Sequence, residues 1–515
     1  MPLKIIKKIL QARVYDVAQE TPIEAARFLT KRLNNQVLFK REDLQPVYSF
    51  KVRGAYNKIV NLSSEDQARG VIAASAGNHA QGVALAAAQL GIQATIVMPT
   101  TTPEIKVSSV AALGGIVVLH GDSFDDAYAH AQGLMAQHDY CFVHPYDDLD
   151  VIAGQGTVGM EILRQISGPL DAVFIPVGGG GLIAGVSCYI KYLRPDIKVI
   201  AVESEDSACF KAAMDAGKRV ILPEVGLFAD GVAVKQIGKE TFRLARECVD
   251  EVITVTTDEI CAAIKDVFDD ARCITEPAGA LSVAGLKKYV KSHGVLDQTL
   301  LAITSGANVN FDRLRHIAER SELGEKREAI FAVTIPEETG SFKTFCKTLG
   351  KRSITEFNYR YAGGEQAHVF VGVQTKSSVE VGILETELGE KGYSVVNLSD
   401  NEMAKLHIRH LVGGHGPTKA RAANNGAVVE EDLELVFRFE FPERPGALLA
   451  FLQTLGSRWN ISLFHYRNHG AAFGRVLVGM QVPEGEQDTV EEYFSDLGYR
   501  YWDESNNPAY QLFLK

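Results

Sequence analysis

Short apolar runs alternate with alanine-rich helical stretches between residues 37 and 310, and this alternation restricts the fold more than any other feature. Runs such as 172–177 and 199–203 are short enough to be strands buried on both faces. Buried strands that alternate with helices are typical of an α/β domain with a largely parallel sheet. Ligands bind such sheets at the carboxyl ends of the strands, so functional residues are expected on the loops that follow them.

Beyond this region one arrangement of residues occurs twice. Pro336 matches Pro442, 106 positions later, and a one-residue insertion then places Gly479 107 positions after Gly372. Many matches in the same order identify an internal repeat. Each copy is predicted to form strand, helix, strand, strand, helix and strand, which is a ferredoxin-like unit.

These patterns divide the chain into four segments. Residues 1–327 are predicted to form the α/β domain, and residues 329–401 and 434–506 the two ferredoxin-like domains. Residues 402–433 are predicted to be a polar linker, because they contain Gly-Gly-His-Gly-Pro and Asn-Asn-Gly sequences that are typical of loops.

Charge and cysteine content narrow the possible partners. A net charge of −11 without a Lys/Arg-rich block argues against nucleic acid or an anionic membrane as the main partner. The 7 cysteines are scattered and form no C-x-x-C pair, which predicts reduced, inert thiols and no metal site. No apolar run is long enough to span a bilayer and no apolar signal core begins the sequence, so a cytoplasmic protein is expected.

The sequence Ser-Phe-Lys-Val-Arg-Gly-Ala at residues 49–55 contains the strongest candidate for a reactive side chain. Lys51 precedes a predicted helix, and burial near the positive end of a helix lowers the pKa of an amine. A lysine that forms a Schiff base must be partly neutral to react. The alternative is a surface lysine in a loop, and the flanking residues favour the reactive role.

A second motif, Ser-Ala-Gly-Asn-His-Ala-Gln-Gly at residues 75–82, follows an apolar run. The amide of Asn78 is a candidate partner for a ring hydroxyl. Ser75 and His79 are candidate contacts of a substrate. For His79 a structural role is the favoured alternative to a general base, because Lys51 already supplies a base.

Four glycines and a leucine follow the run at 172–177 and open a predicted helix. Their backbone N–H groups can converge on a phosphate at the positive end of that helix, although a flexible turn is the alternative. The pattern matches neither of the usual glycine-rich nucleotide motifs, so a dinucleotide or nucleoside triphosphate is not indicated. The residues are Gly178, Gly179, Gly180, Gly181 and Leu182.

A further motif, Thr-Ser-Gly-Ala-Asn at residues 304–308, ends another apolar run. The hydroxyl of Ser305 is a candidate partner for a pyridine nitrogen, with a helix N-cap as an equally weighted alternative. Glu276 is followed by a proline and most simply begins a helix. A role of Glu276 that faces a cofactor is the weaker alternative.

In this order the motifs resemble those of the serine/threonine dehydratases, which belong to the pyridoxal-phosphate superfamily that includes the tryptophan synthase β subunit. The repeated unit resembles the paired ACT-like regulatory domains of the biosynthetic threonine dehydratases. Together the two resemblances cover nearly the whole chain. They imply a fold-type II α/β catalytic domain with two parallel subdomains, followed by two ferredoxin-like α+β regulatory domains.

The resemblance also implies a role for each motif. Lys51 is expected to bind pyridoxal phosphate covalently, Asn78 to bond the 3-hydroxyl of its ring, Ser305 to meet its pyridine nitrogen, and residues 178–182 to hold its phosphate. The expected reaction converts L-threonine through aminocrotonate to 2-oxobutanoate and ammonia, the first step of isoleucine biosynthesis. L-Serine would give pyruvate by the same route.

Regulation is expected to follow the same family. Isoleucine would inhibit and valine would activate a homotetramer, with effectors bound between the repeats near the matched residues Tyr359, Arg360, Tyr466 and Arg467. An aromatic ring and a guanidinium suit an apolar amino acid and its carboxylate. The alternative is that the repeated domains only form an oligomer interface.

Two differences from the serine racemases of this superfamily argue against rival functions. Ala76 stands where those enzymes carry a second serine, and Cys209 stands where they carry an aspartate that binds a cation together with a residue corresponding to Glu203. Neither racemisation nor a metal requirement is therefore expected. A serine dehydratase, a β-replacement synthase and an amino-acid sensor with a decayed active site are the remaining alternatives. The sensor is disfavoured because the cofactor motifs are intact.

Overall fold

The structure of the protein is a computed structural model that describes residues 3–336, 345, 348–349, 354–360, 366–410, 433–442, 459–467, 473–483 and 485–513. The chain divides into two units, residues 1–321 and 322–515. Among the described residues, no helix combines the length and the apolar character that crossing a bilayer requires.

Helices and strands alternate along the first unit. Its strands are β1 (Ile23–Ala25), β2 (Gln36–Lys40), β3 (Val71–Ala74), β4 (Ala94–Met98), β5 (Ile116–Leu119), β6 (Cys141–Phe142), β7 (Ala172–Pro176), β8 (Lys198–Ser204), β9 (Glu251–Val255) and β10 (Thr299–Ile303). Its helices are α1 (Leu3–Leu10), α2 (Arg27–Leu33), α3 (Lys51–Val60), α4 (Ser64–Arg69), α5 (Asn78–Gln89), α6 (Glu104–Ala112), α7 (Phe124–His138), α8 (Leu149–Gln165), α9 (Gly181–Leu193), α10 (Cys209–Ala216), α11 (Lys239–Ala245), α12 (Thr257–Ala271), α13 (Pro277–His293) and α14 (Arg313–Gly324), which continues into the second unit. Short 3-10 helices span Glu42–Leu44, Glu205–Ser207 and Asp230–Val232.

Two sheets organise the first unit. A 6-stranded sheet has the order β1-β2-β10-β7-β8-β9, in which only β1 runs antiparallel to its neighbour. A 4-stranded sheet has the order β5-β4-β3-β6 and is parallel throughout. The prediction of an α/β domain with two parallel subdomains is confirmed.

Helices cover both faces of the larger sheet, which explains the continuous apolar runs in the sequence. Every residue of β7 and β10 is buried, as expected for strands without a solvent-facing side. Adjacent residues of β7 enter different cores. Val173 lies in the same core as Ile183 of α9, whereas Phe174 packs edge-on against Tyr289 of α13, with 5.4 Å between the ring centroids.

The second unit contains two copies of one arrangement. Its strands are β11 (Glu328–Pro336), β12 (Ile354–Arg360), β13 (Gln366–Gln374), β14 (Ser394–Asn397), β15 (Leu433–Pro442), β16 (Asn460–Arg467), β17 (Phe473–Val482) and β18 (Arg500–Asp503). Its further helices are α15 (Ser378–Glu390), α16 (Glu402–Leu406), α17 (Gln487–Leu497) and α18 (Pro508–Phe513), and a 3-10 turn spans Ile408–His410.

Both copies form antiparallel sheets with the same order, β12-β13-β11-β14 in the first and β16-β17-β15-β18 in the second. This is the ferredoxin-like order, and the predicted repeat is confirmed in the described strands. Even an irregularity recurs, because the register shifts between Ile354 and Glu356 and again between Ile461 and Leu463. The first predicted helix of each copy lies mostly outside the described residues.

Each copy is longer than predicted, because a short helix follows its last strand. Residues 402–406, predicted to begin the linker, form α16, and α18 extends past the predicted end at 506. Met403 and Tyr510 from these helices are buried in one core that includes residues of both sheets. Burial of these apolar side chains explains why the segments are helical and not linker. Residues 411–432 of the predicted linker lie outside the described residues.

Candidate active site

The four motifs of the first unit surround one cavity of about 480 Å³, including the part that opens to solvent. The motifs lie where parallel strands end, after β3, β7 and β10, or at the start of α3, as the parallel-sheet rule predicts. The lining residues are Phe50, Lys51, Asn78, Pro145, Tyr146, Gln155, Pro176, Gly178, Gly179, Gly180, Gly181, Leu182, Gly231, Val232, Glu276, Ala278 and Ser305.

Lys51 is the first residue of α3 and lies on the cavity wall. Its Nζ donates a hydrogen bond of 3.3 Å to the carbonyl oxygen of Pro145. Burial lowers the pKa of Lys51 to about 8, against the opposing effect of the Glu276 carboxylate. Roughly a tenth of the amine is therefore neutral near pH 7, which is the form that can attack a carbonyl group.

The glycine loop, residues 178–181, passes so close to other groups that a Cβ added at Gly178, Gly179 or Gly180 would collide with them. A Cβ on Gly179 would lie 2.1 Å from the ring of Tyr146, and a Cβ on Gly178 would lie 2.8 Å from Cα of Val232. Gly180 has a φ of 91°, a conformation that favours glycine. Since α9 begins at Gly181, the loop presents bare backbone at the positive end of a helix, which is the arrangement that binds phosphate.

Ser305 follows β10 and is buried, and its Oγ donates to the carbonyl oxygen of Ala278 over 3.2 Å. This distance is long for a hydroxyl donor, so the hydrogen can turn to a better acceptor at little cost. The backbone fixes Ser305 beside the lysine segment. The N–H of Phe50 donates to the Ser305 carbonyl over 3.3 Å, and Ser49 and Gly306 form a β-bridge.

Asn78 begins α5 and makes two short side-chain contacts. Its Nδ2 donates to Oε1 of Glu276 over 2.6 Å, and its Oδ1 accepts from Nδ2 of Asn308 over 2.6 Å. Burial, followed by the charge of Asp230, raises the pKa of Glu276 to about 7.

The other two candidates of the second motif are not among the lining residues. The Oγ of Ser75 accepts from the N–H of Gly77 over 3.3 Å. His79 is buried, and its Nε2 lies 2.8 Å from the carbonyl oxygen of Val143, to which it donates. Burial lowers the pKa of His79 to about 3, so the ring is neutral at physiological pH and the geometry supports its structural role.

The sequence interpretation missed two residues of the site, Tyr146 and Asn308, and gave a third, Glu276, a cofactor-facing role only as the weaker alternative. Tyr146 packs on the glycine loop, and its position after β6 was the one available signal. Glu276 received the helix-start interpretation, and it does precede α13, but its side chain lines the cavity. Asn308 lies inside a recognised motif, and nothing in the sequence shows that it reaches Asn78, 230 positions away.

Glu203 and Cys209, which the sequence interpretation compared with the cation ligands of serine racemases, form contacts with nearby protein groups. The Glu203 carboxylate accepts from the N–H groups of Phe210 and Lys211, each over 2.8 Å, and burial raises its pKa to about 7. The Sγ of Cys209 lies 3.5 Å from the carbonyl oxygen of Gly178. In the part of the chain that the structure describes, no three His, Cys, Asp or Glu residues are grouped to hold a metal ion.

The candidate effector residues lie at equivalent places in the two copies. Tyr359 pairs with Val369 on the edge strand β12, and Tyr466 pairs with Val476 on the edge strand β16. Arg360 and Arg467 are the last residues of these strands. The backbone register therefore matches the repeat, and a role in binding effectors stays a prediction.

The sequence is similar to known proteins along nearly its whole length. Residues 14–306 match the family described as pyridoxal-phosphate dependent enzyme, and residues 319–408 and 425–514 match the C-terminal regulatory domain of threonine dehydratase. The chain is 56% identical over 512 residues to a biosynthetic L-threonine dehydratase of Burkholderia multivorans, with 99% of both chains covered. It is 55% identical over 511 residues to that of Escherichia coli, covering 99% of this chain and 96% of the relative.

Two solved structures are also similar to this chain. The processed form of threonine deaminase isoform 2 from Solanum lycopersicum has a TM-score of 0.61 and 48% identity, covering 62% of this chain and 93% of that chain. Serine racemase from Dictyostelium discoideum has a TM-score of 0.55 and 33% identity, covering 60% of this chain and 99% of that chain.

Proposed function

The chain belongs to the pyridoxal-phosphate-dependent biosynthetic threonine dehydratases, and from that membership we propose how its own residues act on L-threonine. It is a lyase that removes the β-hydroxyl and the α-proton of threonine, and the released product hydrolyses to 2-oxobutanoate and ammonia. This is the first step of isoleucine biosynthesis. The observation that carries the assignment of residues is the single cavity shared by Lys51, Asn78, Ser305 and the glycine loop.

The lining of the cavity fits each part of pyridoxal phosphate. Lys51 would hold its aldehyde carbon, the glycine loop its phosphate, Asn78 its phenolic oxygen and Ser305 its ring nitrogen. The bare loop at the start of α9 supports the phosphate position, because a Cβ on Gly179 would collide with Tyr146. When bound, the cofactor supplies an electron sink for negative charge at the α-carbon of the amino acid.

The side chains would divide the remaining work. The amine of Lys51, with a pKa lowered to about 8, is neutral often enough to accept the α-proton, and its place on the cavity wall keeps it near the substrate. The Ser305 hydroxyl is a neutral partner for the ring nitrogen. With a neutral hydroxyl at its nitrogen, the cofactor ring would be a weaker electron sink than with a carboxylate there. The weaker sink favours rapid loss of the β-hydroxyl over return of the proton to the α-carbon.

A product assay tests this proposal. Purified protein with L-threonine should release equal amounts of 2-oxobutanoate and ammonia, and L-serine should give pyruvate. Borohydride reduction of the native protein should attach the pyridoxyl group to the peptide that contains Lys51, and Lys51→Ala should abolish both the label and turnover. A label on another peptide would overturn the assignment of Lys51, whereas absence of 2-oxobutanoate would overturn the reaction.

We propose that the second unit binds isoleucine as inhibitor and valine as activator, close to Tyr359, Arg360, Tyr466 and Arg467. The match to the regulatory domain of threonine dehydratase and the matched strand positions support this proposal. Isoleucine should raise the threonine concentration at half-saturation and make the curve sigmoidal, and valine should oppose it. A coupling of about 1–3 kcal/mol corresponds to roughly 5–150-fold in affinity.

We also propose that the enzyme is a homotetramer in a compartment that keeps thiols reduced, such as the cytoplasm. Exposed apolar side chains around β5, including Ile105, Ile116 and Leu119, support self-association. The scattered cysteines, which form no C-x-x-C pair, support the compartment. Light scattering of the purified protein measures the assembly.

A further inference from the structure

The amide of Asn78 is held between two polar side chains from distant parts of the chain. The Nδ2 of Asn78 donates a hydrogen bond of 2.6 Å to Oε1 of Glu276. The Oδ1 of Asn78 accepts a hydrogen bond of 2.6 Å from Nδ2 of Asn308. The partners lie 198 and 230 positions away in sequence. Glu276 is buried, and a Cβ on Gly306 would lie 2.4 Å from its Oε1, so the glycine leaves room for the carboxyl group.

The backbone fixes the direction of these hydrogen bonds. Nδ2 of Asn308 also donates to the carbonyl oxygen of Val47 over 2.8 Å, and a backbone carbonyl can only accept. The nitrogen of Asn308 must therefore face Val47, and both of its hydrogens are used by Val47 and Asn78. Asn78 must then turn its oxygen toward Asn308 and its nitrogen toward Glu276. One carbonyl group thus sets the orientation of two amides.

An amide nitrogen carries two hydrogens, and Glu276 takes one of those on Asn78. We propose that Glu276 and Asn308 are positioning residues that lock the Asn78 amide in this orientation, so that its second N–H group is presented to the phenolic oxygen of the cofactor. Asn78 itself lines the cavity that would hold the cofactor. The inference rests on the proposed function, since it assigns the group that Asn78 meets.

The lock depends on acceptors and donors and not on the charge of Glu276. The pKa of Glu276 is raised to about 7, so the carboxyl group is present in both forms near neutrality, and Oε1 can accept a hydrogen bond in either. Glu276→Gln keeps an acceptor at this place. Asn308→Asp removes both donors while keeping the shape, so Asn78 is forced to turn its nitrogen toward residue 308 and its oxygen toward the cavity.

The experiment compares Asn308→Asp, Asn308→Ala, Glu276→Gln and Glu276→Leu in the full chain. Asn34→Asp is a matched control, because it makes the same chemical change at an exposed position directly after α2. Each apoprotein is titrated with pyridoxal phosphate to give a dissociation constant, and the absorption band of each holoprotein is recorded. The kcat and KM for threonine are measured separately.

Asn308→Asp should weaken cofactor binding roughly tenfold, shift the absorption band and lower kcat more than it raises KM. Asn308→Ala, which only releases the amide, should weaken binding by about threefold. Glu276→Leu should resemble Asn308→Asp, Glu276→Gln should weaken cofactor binding less than Glu276→Leu does, and Asn34→Asp should bind the cofactor within about twofold of the native affinity.

Native affinity and an unchanged band in Asn308→Asp would overturn the proposal. If that variant does not fold, Asn308→Ala decides in the same way. A loss in Glu276→Gln as large as in Glu276→Leu would also overturn it, because the charge and not the acceptor would then matter. Turnover of threonine by the native protein is independent of these outcomes, so a failure of the proposed function is recognised separately.

Discussion

Lys51 shows how the environment of a residue sets its chemistry. Burial is the largest cause of its lowered pKa, and Lys51 also stands at the start of α3, the positive helix end that the sequence interpretation invoked. Glu276 acts in the opposite direction and keeps the pKa near 8. The amine is therefore close to half-neutral just above physiological pH.

This pKa predicts how fast the apoprotein captures pyridoxal phosphate at different pH values. Only the neutral amine reacts, so below pH 8 the rate should rise about tenfold per pH unit, and it should level off above that. Stopped-flow absorbance after mixing measures the rate. A model amine with an ordinary pKa near 10.4 is the control, since its rate should keep rising beyond pH 9. A plateau that begins only above pH 10 would contradict the pKa of Lys51.

The glycine loop gives a second prediction at this scale. In Gly179→Ala the added methyl group meets the ring of Tyr146, so either the loop or the ring must move and the backbone cradle is distorted. Binding of the cofactor should weaken at least tenfold, measured by titration of the apoprotein. Gly168→Ala makes the same chemical change where nothing lies within 4 Å, and it should bind as the native protein does. Equal affinities would show that the loop does not hold the phosphate.

At the scale of elements, α3 is anchored by charges that are fully buried. The guanidinium of Arg53, two residues after Lys51, bonds Glu42 over 2.7 Å and Glu161 over 2.5 Å, and Lys40 also meets Glu161. Two cations and two carboxylates thus balance with no solvent exposure. The network joins the start of α3 to α8 and so fixes the position of the reactive lysine.

Arg53→Met should lower the free energy of unfolding by about 3–5 kcal/mol, because it leaves two buried carboxylates with one cation between them. Thermal unfolding of the full chain measures the loss. Arg164→Met is the matched control. It breaks the exposed ion pair with Glu20, which water and salt screen, and should cost much less than Arg53→Met. Similar costs for the two variants would show that the buried network adds no special stability.

Local patterns predicted the elements of this protein better than its long-range contacts. The alternation of apolar runs and the glycine loop were sufficient for the parallel sheets and for the strand ends that carry the motifs. The helices α16 and α18 were missed because each is short and becomes stable only by packing into a shared core. Asn308 was missed because its partner Asn78 follows a strand of the other sheet, and no window of sequence contains both residues.

For the whole molecule the repeated unit predicts where effectors act. Arg360→Ala and Arg467→Ala, made separately and together, should raise the isoleucine concentration for half-inhibition by tenfold or more, because each removes a guanidinium that can pair with the effector carboxylate. Activity without isoleucine should stay within about twofold. Lys391→Ala, an exposed change after α15, is the control and should leave inhibition unchanged.

Initial rates at several threonine and isoleucine concentrations measure the coupling. Unaltered inhibition in the double variant would exclude these arginines from the effector site. Unequal effects of the two single variants would identify which copy of the repeat binds isoleucine.

The order of the larger sheet has a consequence for how the chain is made. Gln36 of β2 pairs with Thr299 of β10, 263 positions later. A ribosome that adds about 5–20 residues per second leaves β2 waiting roughly 13–50 s for this neighbour. Val37 and Phe39, buried in the finished molecule, lie beside an open strand edge throughout that interval. The nascent chain therefore exposes an unpaired, aggregation-prone strand edge for most of its synthesis. A chaperone that shields this edge is expected to raise the yield of folded enzyme.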